Sequence, residues 1–278
     1  MASSDRPATG PLSEEQLRLF KRDGFVLIEE FLDAEEVALL MEAAQGDATL
    51  AENAYGVEDA SGRQTRLASW NHPSDDVFGA LSRSRRVVDS MEQLLGGEVY
   101  HYHSKLMLKE PRVGGAWEWH QDYGYWYQNG CLLPDMGSCM VALDPATREN
   151  GCLQVLRGSQ RLGRLEHGRA GKQTGADPER VAVALKRFEL VHVELSPGSA
   201  ILFHANLLHA SGPNLSEQPR WSIICCYNTA HNDPYKDSHH PRYTRLEKLP
   251  DDAIKRAPRA TSERRAFVDP AHDRTIGS

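Results

Sequence analysis

From Glu98 to Asn228 the hydrophobic pattern takes on the period of strands in six short runs, at 98–109, 138–143, 152–156, 189–195, 199–203 and 220–228. Turn chemistry separates them: Gly114-Gly115, Asp144-Pro145, Asn150-Gly151, Gly158-Ser159, Ser196-Pro197-Gly198 and Gly212-Pro213. Upstream the period is helical. Ser13-Glu14-Glu15-Gln16 has the capping-box pattern of a helix start, and Gly24 ends that helix. A short apolar strand, Phe25-Val26-Leu27-Ile28, follows. Asp33 caps a second helix with Val37, Leu40, Met41 and Ala44 on one face. Residues 51–63 read as loop, 75–81 and 84–95 as helix, with Gly96-Gly97 as a stop. Between Arg161 and Arg187 lies an insertion whose helix begins with Asp177 as N-cap and Pro178 as first residue. A long connection of this kind is a candidate lid. Helices first and many short strands after them predict a double-sheet β core backed by α-helices.

The chemistry concentrates at Trp117-Glu118-Trp119-His120-Gln121-Asp122-Tyr123-Gly124-Tyr125-Trp126-Tyr127. If this stretch is extended, the imidazole of His120 and the carboxylate of Asp122 project from one face. A distant histidine then completes a two-histidine, one-carboxylate triad, the set that holds oxygen-activating Fe(II) with positions left open. His209, at the end of an apolar strand and before a turn, is the better candidate; His204 reads as structural. Arg220, eleven residues on, begins the returning strand, where its guanidinium fork suits the far carboxylate of a dicarboxylate, and Ser211 offers a hydroxyl to the same group. The aromatics around the motif either pack the sheet or form a cage for a cationic substrate. His101 and His103 alternate in a strand and read as interior histidines or substrate contacts. His239-His240 reads as a solvated loop pair.

The 32 Lys and Arg against 39 Asp and Glu give a net charge of −7, which argues against nucleic acid or an acidic membrane as partner and favours a small molecule. Five cysteines without CxxC spacing indicate neither a disulfide framework nor a zinc knuckle, which points to a reducing, cytoplasmic setting. No apolar run approaches the roughly 20 residues that span a bilayer, and residues 1–5 lack the features of a secretion signal. A chain of 278 residues, 40% hydrophobic, suits one domain over 1–278, monomeric or homodimeric, with 1–11 and about 251–278 peripheral.

Several motifs together make the chain resemble the phytanoyl-CoA dioxygenase family of Fe(II)- and 2-oxoglutarate-dependent oxygenases. They are Arg22-Asp23-Gly24-Phe25, His120-Gln121-Asp122, Glu149-Asn150-Gly151-Cys152-Leu153, Arg157-Gly158-Ser159, and His209-x-Ser211-Gly212-x-Asn214 with Arg220. The resemblance implies a mainly β fold with flanking helices and a double-stranded β-helix (jelly-roll, cupin-like) core. It also implies His120, Asp122 and His209 as iron ligands and as the catalytic centre. Arg220 and Ser211 then hold 2-oxoglutarate, O2 is the co-substrate, and ascorbate serves as reductant in vitro. Lys105 and Arg66 fall by spacing where related enzymes place cationic contacts to co-substrate or substrate. The family's Pro-Gly-Ser-His reads here Arg157-Gly158-Ser159-Gln160, so no role carries over for a histidine at that point. Related halogenases lack the carboxylate that Asp122 supplies, which favours hydroxylation, with release of succinate and CO2, and leaves desaturation or ring formation as the other outcomes.

The resemblance leaves the substrate open, because family membership does not transfer one. The expected substrate is a small polar metabolite, with His103, Trp119 and Tyr125 as its contacts beside Lys105. Other readings are an acyl-CoA hydroxylase, a protein of the same fold that senses 2-oxoglutarate or metal without oxidising anything, and a zinc or manganese isomerase or hydrolase that has no need of Arg220.

Overall fold

The computed structural model describes residues 12–170, 173–259 and 265–272. The leader expected over 1–11, and the parts of the expected peripheral tail at 260–264 and 273–278, lie outside the described residues.

Local capping chemistry sets the first helices. In α1 (Glu14–Asp23) the Ser13 hydroxyl accepts from the Gln16 amide while the Gln16 side chain accepts from the Ser13 amide, and Gly24 closes the helix at φ 84°. After β1 (Phe25–Ile28), Asp33 and Glu36 repeat the box for α2 (Ala34–Gly46). The stretch read as loop instead forms α3 (Ala48–Asn53) and β2 (Tyr55–Glu58), followed by β3 (Gln64–Trp70). Neither strand carries a continuous apolar signal. They exist because β2 pairs with β3 and β3 pairs along the end of the next strand, Arg66 opposite Leu108 through Trp70 opposite Ser104. Tertiary pairing therefore overrides weak local propensity. Next come α4 (Val77–Arg83), α5 (Arg85–Leu95), β4 (Val99–Lys109), β5 (Trp117–His120), α6 (Asp122–Trp126), β6 (Met136–Ala142) and β7 (Leu153–Leu156). The insertion holds a hairpin, β8 (His167–Ala170) and β9 (Gln173–Ala176), and α7 (Pro178–Arg187), capped by Asp177 as its sequence indicates. The chain then forms β10 (Leu190–Val193), β11 (Ala200–His204), β12 (His209–Ser211), β13 (Arg220–Thr229) and α8 (Ala253–Arg256).

The strands form two antiparallel sheets, one in the order β1-β11-β6-β13-β4-β3-β2 and a smaller one in the order β10-β7-β12-β5. Phe25, Met140, Ile201 and Phe203 of the large sheet bury against Leu153, Val155 and Val193 of the small one. On the other face of the large sheet, Phe20, Leu40, Val87 and Met91 from the helices pack on Val141, Leu202 and Ile223. This is the jelly-roll architecture with flanking helices. No helix among the described residues is long and apolar enough to cross a membrane.

The end of the described chain is tied down by one buried cation. Arg265 donates to Asp47 at 2.9 Å and to Asp76, with its guanidinium 5.0 Å from the ring centroids of both Trp70 and Phe78. Arg265→Ala leaves two buried carboxylates without their cation. The expected loss is about 3–5 kcal/mol of stability, to be read from denaturant unfolding, and a loss below 1 kcal/mol would show that the strap is dispensable.

Candidate metal centre

The three expected ligands come from three separate places in the jelly roll. His120 is the last residue of β5, Asp122 the first of α6, and His209 the first of β12. The backbone stays extended through Gln121, so His120 and Asp122 project to one side as expected, and the chain turns into a short helix from Asp122 onward. β12 pairs with β5 so that His209 lies opposite His120, with ring centroids 4.1 Å apart. Asp122 Oδ1 is 3.8 Å from His120 Nε2 and 3.9 Å from His209 Nε2, and one ligand atom from each residue lies within 4.8 Å of the others.

Hydrogen bonds on the far side of each ligand decide which atoms face inward. His120 Nδ1 donates to Glu118 O at 2.7 Å and His209 Nδ1 to Leu207 O at 2.8 Å, which leaves both Nε2 lone pairs facing Asp122. Burial, and next the neighbouring His209, hold the His120 imidazole well below the ordinary histidine range, in the neutral form a metal requires. Ser138 donates to Asp122 Oδ2 at 3.0 Å, so Oδ1 is the oxygen presented to the two rings. Two nitrogen or oxygen donors on one first-row ion about 2.1 Å away are roughly 3–4 Å apart, so this donor set fits a divalent ion bound from one side. Ser138→Ala frees the carboxylate to rotate. Affinity for Fe(II) should fall about ten- to a hundredfold in an anaerobic metal titration; an unchanged affinity would mean that Asp122 is oriented by other means.

The ligand-bearing segment is clamped from outside by the insertion. Gln121 donates to Gly163 O and Asn206 O, both at 2.8 Å, and accepts from the Leu165 amide at 2.7 Å. His167 Nε2 accepts from the Gln121 amide, Gln173 accepts from the Glu118 amide, and Tyr125 donates to Thr174 O. The candidate lid is thus a brace that fixes the metal motif.

A cationic end lies in the same cavity, which is lined by His120, Asp122, His209, Lys105, Trp117, Ser211 and Arg220 among others. Arg220 is buried and donates to Gly151 O at 2.8 Å and to Ser222 Oγ at 3.2 Å, while its buried Nε has no partner among the described residues. Burial lowers its pKa to about 10, which leaves it charged at neutral pH. Gly151, at φ 79°, packs directly on the Gly212-Pro213 backbone: a Cβ there would meet Gly212 O at 2.2 Å. Sequence reasoning missed Lys109, which is 1% exposed and lies opposite Arg220 in the β4–β13 register. Its Nζ donates to Ser211 Oγ at 2.9 Å and Gly212 O at 2.5 Å, so the Ser211 hydroxyl accepts from the lysine and keeps its own proton for a ligand. Burial, and next the Arg220 guanidinium, push Lys109 well below the ordinary lysine range. The available signal was a lysine at the end of a long apolar strand, four residues from Lys105 and on the same face.

Other expected contacts lie elsewhere. Arg66 is exposed on β3 and donates to Ala51 O at 3.4 Å; alternation buries Thr65 and Leu67 and turns Arg66 outward, so it is not a cavity residue. Trp119 packs with Leu156, Leu165 and Ala184 under the insertion, and Trp117 lines the cavity in its place. Trp119 alternates with His120 and so faces away from the metal, while an extra residue in the pairing of β5 with β12, in which His209 and Ser211 lie opposite His120 and Trp117, brings Trp117 to the cavity side. Tyr125 lies 5.6 Å from the His120 ring, but its hydroxyl serves the brace. His103 is buried, 4.8 Å from the His240 ring and stacked on it. His240, expected in solvent, is instead half-buried, and its Nδ1 donates to Asn71 Oδ1 at 3.0 Å. The register shift opposite Cys226/Tyr227 separates His101, bonded to Ser104 Oγ at 2.8 Å, from His103.

Comparison with known proteins matches this geometry. Residues 20–222 match the family model described as Phytanoyl-CoA dioxygenase (PhyH). An L-proline trans-4-hydroxylase of Streptomyces griseoviridis is 31% identical over 242 residues, 81% of this chain and 90% of that protein. An ectoine dioxygenase of Halomonas elongata is 30% identical over 267 residues, 88% of this chain and 79% of that protein. Crystal structures of EctD from S. alaskensis superpose with TM-scores of 0.73 with bound Fe and 0.71 with 2-oxoglutarate and 5-hydroxyectoine; each is 27% identical and covers 88% of this chain and 89% of that one. The chain belongs to the phytanoyl-CoA dioxygenase family.

Proposed function

We propose that this protein is an Fe(II)- and 2-oxoglutarate-dependent dioxygenase that hydroxylates an unactivated C–H bond of a small polar metabolite, releasing succinate and CO2. The observation that carries this reading is one cavity with a His120/Asp122/His209 triad at one end and Arg220, with a free buried N–H, at the other. The relatives named for proline and ectoine act on small polar compounds, and an EctD structure contains 2-oxoglutarate. An acyl-CoA calls for a cationic cluster to meet its pyrophosphate, whereas Lys105 and Arg220 are the two cations of the cavity lining.

Iron held by the triad supplies oxygen activation, coupled to oxidative decarboxylation of 2-oxoglutarate. His120, Asp122 and His209 would hold it through Nε2, Oδ1 and Nε2. Arg220 holds the far carboxylate of 2-oxoglutarate with its unpartnered N–H, and Ser211, kept in place by Lys109, donates its proton to the same group. Apolar Met107, Met140, Leu153, Phe203 and Ile224 keep water from the cavity between these ends. The five buried free cysteines suit a reducing cytoplasm, and the chain works as one domain, alone or as a homodimer. Incubation with Fe(II), ascorbate, 2-oxoglutarate and air should yield iron-dependent succinate, raised by the true substrate. A folded, iron-loaded protein that forms none would overturn the reading.

A further inference from the structure

Lys105 lines the cavity yet makes no hydrogen bond or ion pair with any described residue. It lies opposite Ile224, while Lys109 lies opposite Arg220, so the two lysines are four residues apart on β4, roughly 13 Å along the strand. Lys105 therefore belongs to the metal end of the cavity. Its charge disfavours protonation of His103, His120 and His240, whereas the cation felt at Lys109 is Arg220. The charges at the two ends are already matched without it. The far carboxylate of 2-oxoglutarate meets Arg220, and the near one meets the single net positive charge of a divalent ion beside Asp122. Lys105, half-buried in the cavity wall, remains without a counterion among the described residues.

A second unmet group lies beside it. His103, two residues away on the same face, is 1% exposed, and neither of its ring nitrogens has a hydrogen-bond partner. Buried polar atoms of this kind are uncommon and call for a ligand or water. The ring is walled by Trp126, 5.7 Å away, and by the stacked His240. Asn71 holds that wall in place through His240 Nδ1 at 3.0 Å and His239 O at 2.5 Å. Burial keeps His103 neutral, with one N–H to donate and one nitrogen to accept.

We propose that Lys105 and His103 form the receptor for a carboxylate on the primary substrate, so that the metabolite hydroxylated is a small carboxylic acid such as an amino or imino acid. This rests on the oxygenase reading and narrows its substrate class. Lys105 supplies the charge and His103, held between Trp126 and His240, a directed N–H.

The test is calorimetric titration of the anaerobic protein loaded with Fe(II) and saturating 2-oxoglutarate, so that the Arg220 end is filled. The probes are L-proline, L-pipecolate and L-glutamine, each beside its primary amide. At least one acid should bind, and its amide about ten- to a hundredfold more weakly, the range for losing one charge-assisted hydrogen bond. Lys105→Met should bring the acid down to the affinity of its amide. His103→Phe, which keeps the ring against Trp126 and His240, should weaken the acid several-fold more than the amide. Equal binding of acid and amide to the wild type overturns the proposal without any variant. Equal weakening of both by Lys105→Met overturns it, and so does the absence of binding by any acid while iron-dependent succinate release proceeds. Failure of the oxygenase reading is seen separately, as a wild type that forms no succinate.

Discussion

Arg220→Ala should raise the 2-oxoglutarate concentration needed for half-maximal succinate formation by about a hundredfold or more, with Fe(II) affinity unchanged. The guanidinium is buried, charged, and partnered on two of its nitrogens by Gly151 O and Ser222 Oγ, which fix its orientation and leave Nε for the ligand. Removing it takes away the counter-charge of a carboxylate in a dry cavity and strands the Gly151 carbonyl. Lys109 cannot take its place, because its Nζ is spent on Ser211 Oγ and Gly212 O and its burial disfavours the charged form. Arg220→Lys should recover only part of the loss, since a single ammonium cannot reproduce the fork that reaches Gly151, Ser222 and a ligand at once. The measurement is steady-state succinate release against 2-oxoglutarate concentration. An unchanged requirement would mean that the co-substrate lies elsewhere.

His209→Ala should lower iron-dependent succinate formation by roughly a thousandfold or more, since even changing a residue that only orients a ligand costs about ten- to a hundredfold. His209 comes from a different sheet position than His120 and Asp122, and it is the only one of the three carried by β12. Without it the remaining pair holds an ion from two directions, too few to keep it against water. The thermal midpoint should stay near that of the wild type, because the substitution opens onto an existing cavity lined by Phe203 and Ala210. Retained activity with His209→Ala would remove the histidine from the centre, whereas a collapse of the fold would be seen at once in the unfolding transition.

Features that depend on near neighbours in the chain could be read from the sequence. The capping boxes at Ser13 and Asp33 and the Asp177-Pro178 helix start are local chemistry, and each helix begins where that chemistry places it. The long apolar strands at 99–109 and 220–229 announce themselves by composition and period. Features that depend on a distant partner could not be read. Tyr55–Glu58 and Gln64–Trp70 become strands only because the end of β4 offers them an edge. Trp117 reaches the cavity through one extra residue in the pairing with β12, which local periodicity does not encode, whereas Trp119 faces away by its alternation with His120. Lys109 and Lys105 look alike in sequence, and only the register opposite Arg220 and Ile224 sends one to the co-substrate end and the other to the metal end. His240 read as solvated because tandem histidines in a loop point in different directions, yet Asn71, 169 residues away, draws it onto His103.

The claim that one cavity holds both iron and 2-oxoglutarate is tested most directly by adding Fe(II) and then 2-oxoglutarate to the metal-free protein without oxygen, while recording the visible spectrum. The weak charge-transfer band of the iron–2-oxoglutarate chelate should appear in the wild type and be absent from His120→Ala. No band in a folded wild type that binds zinc or manganese tightly would contradict the account and point to metal chemistry without the co-substrate.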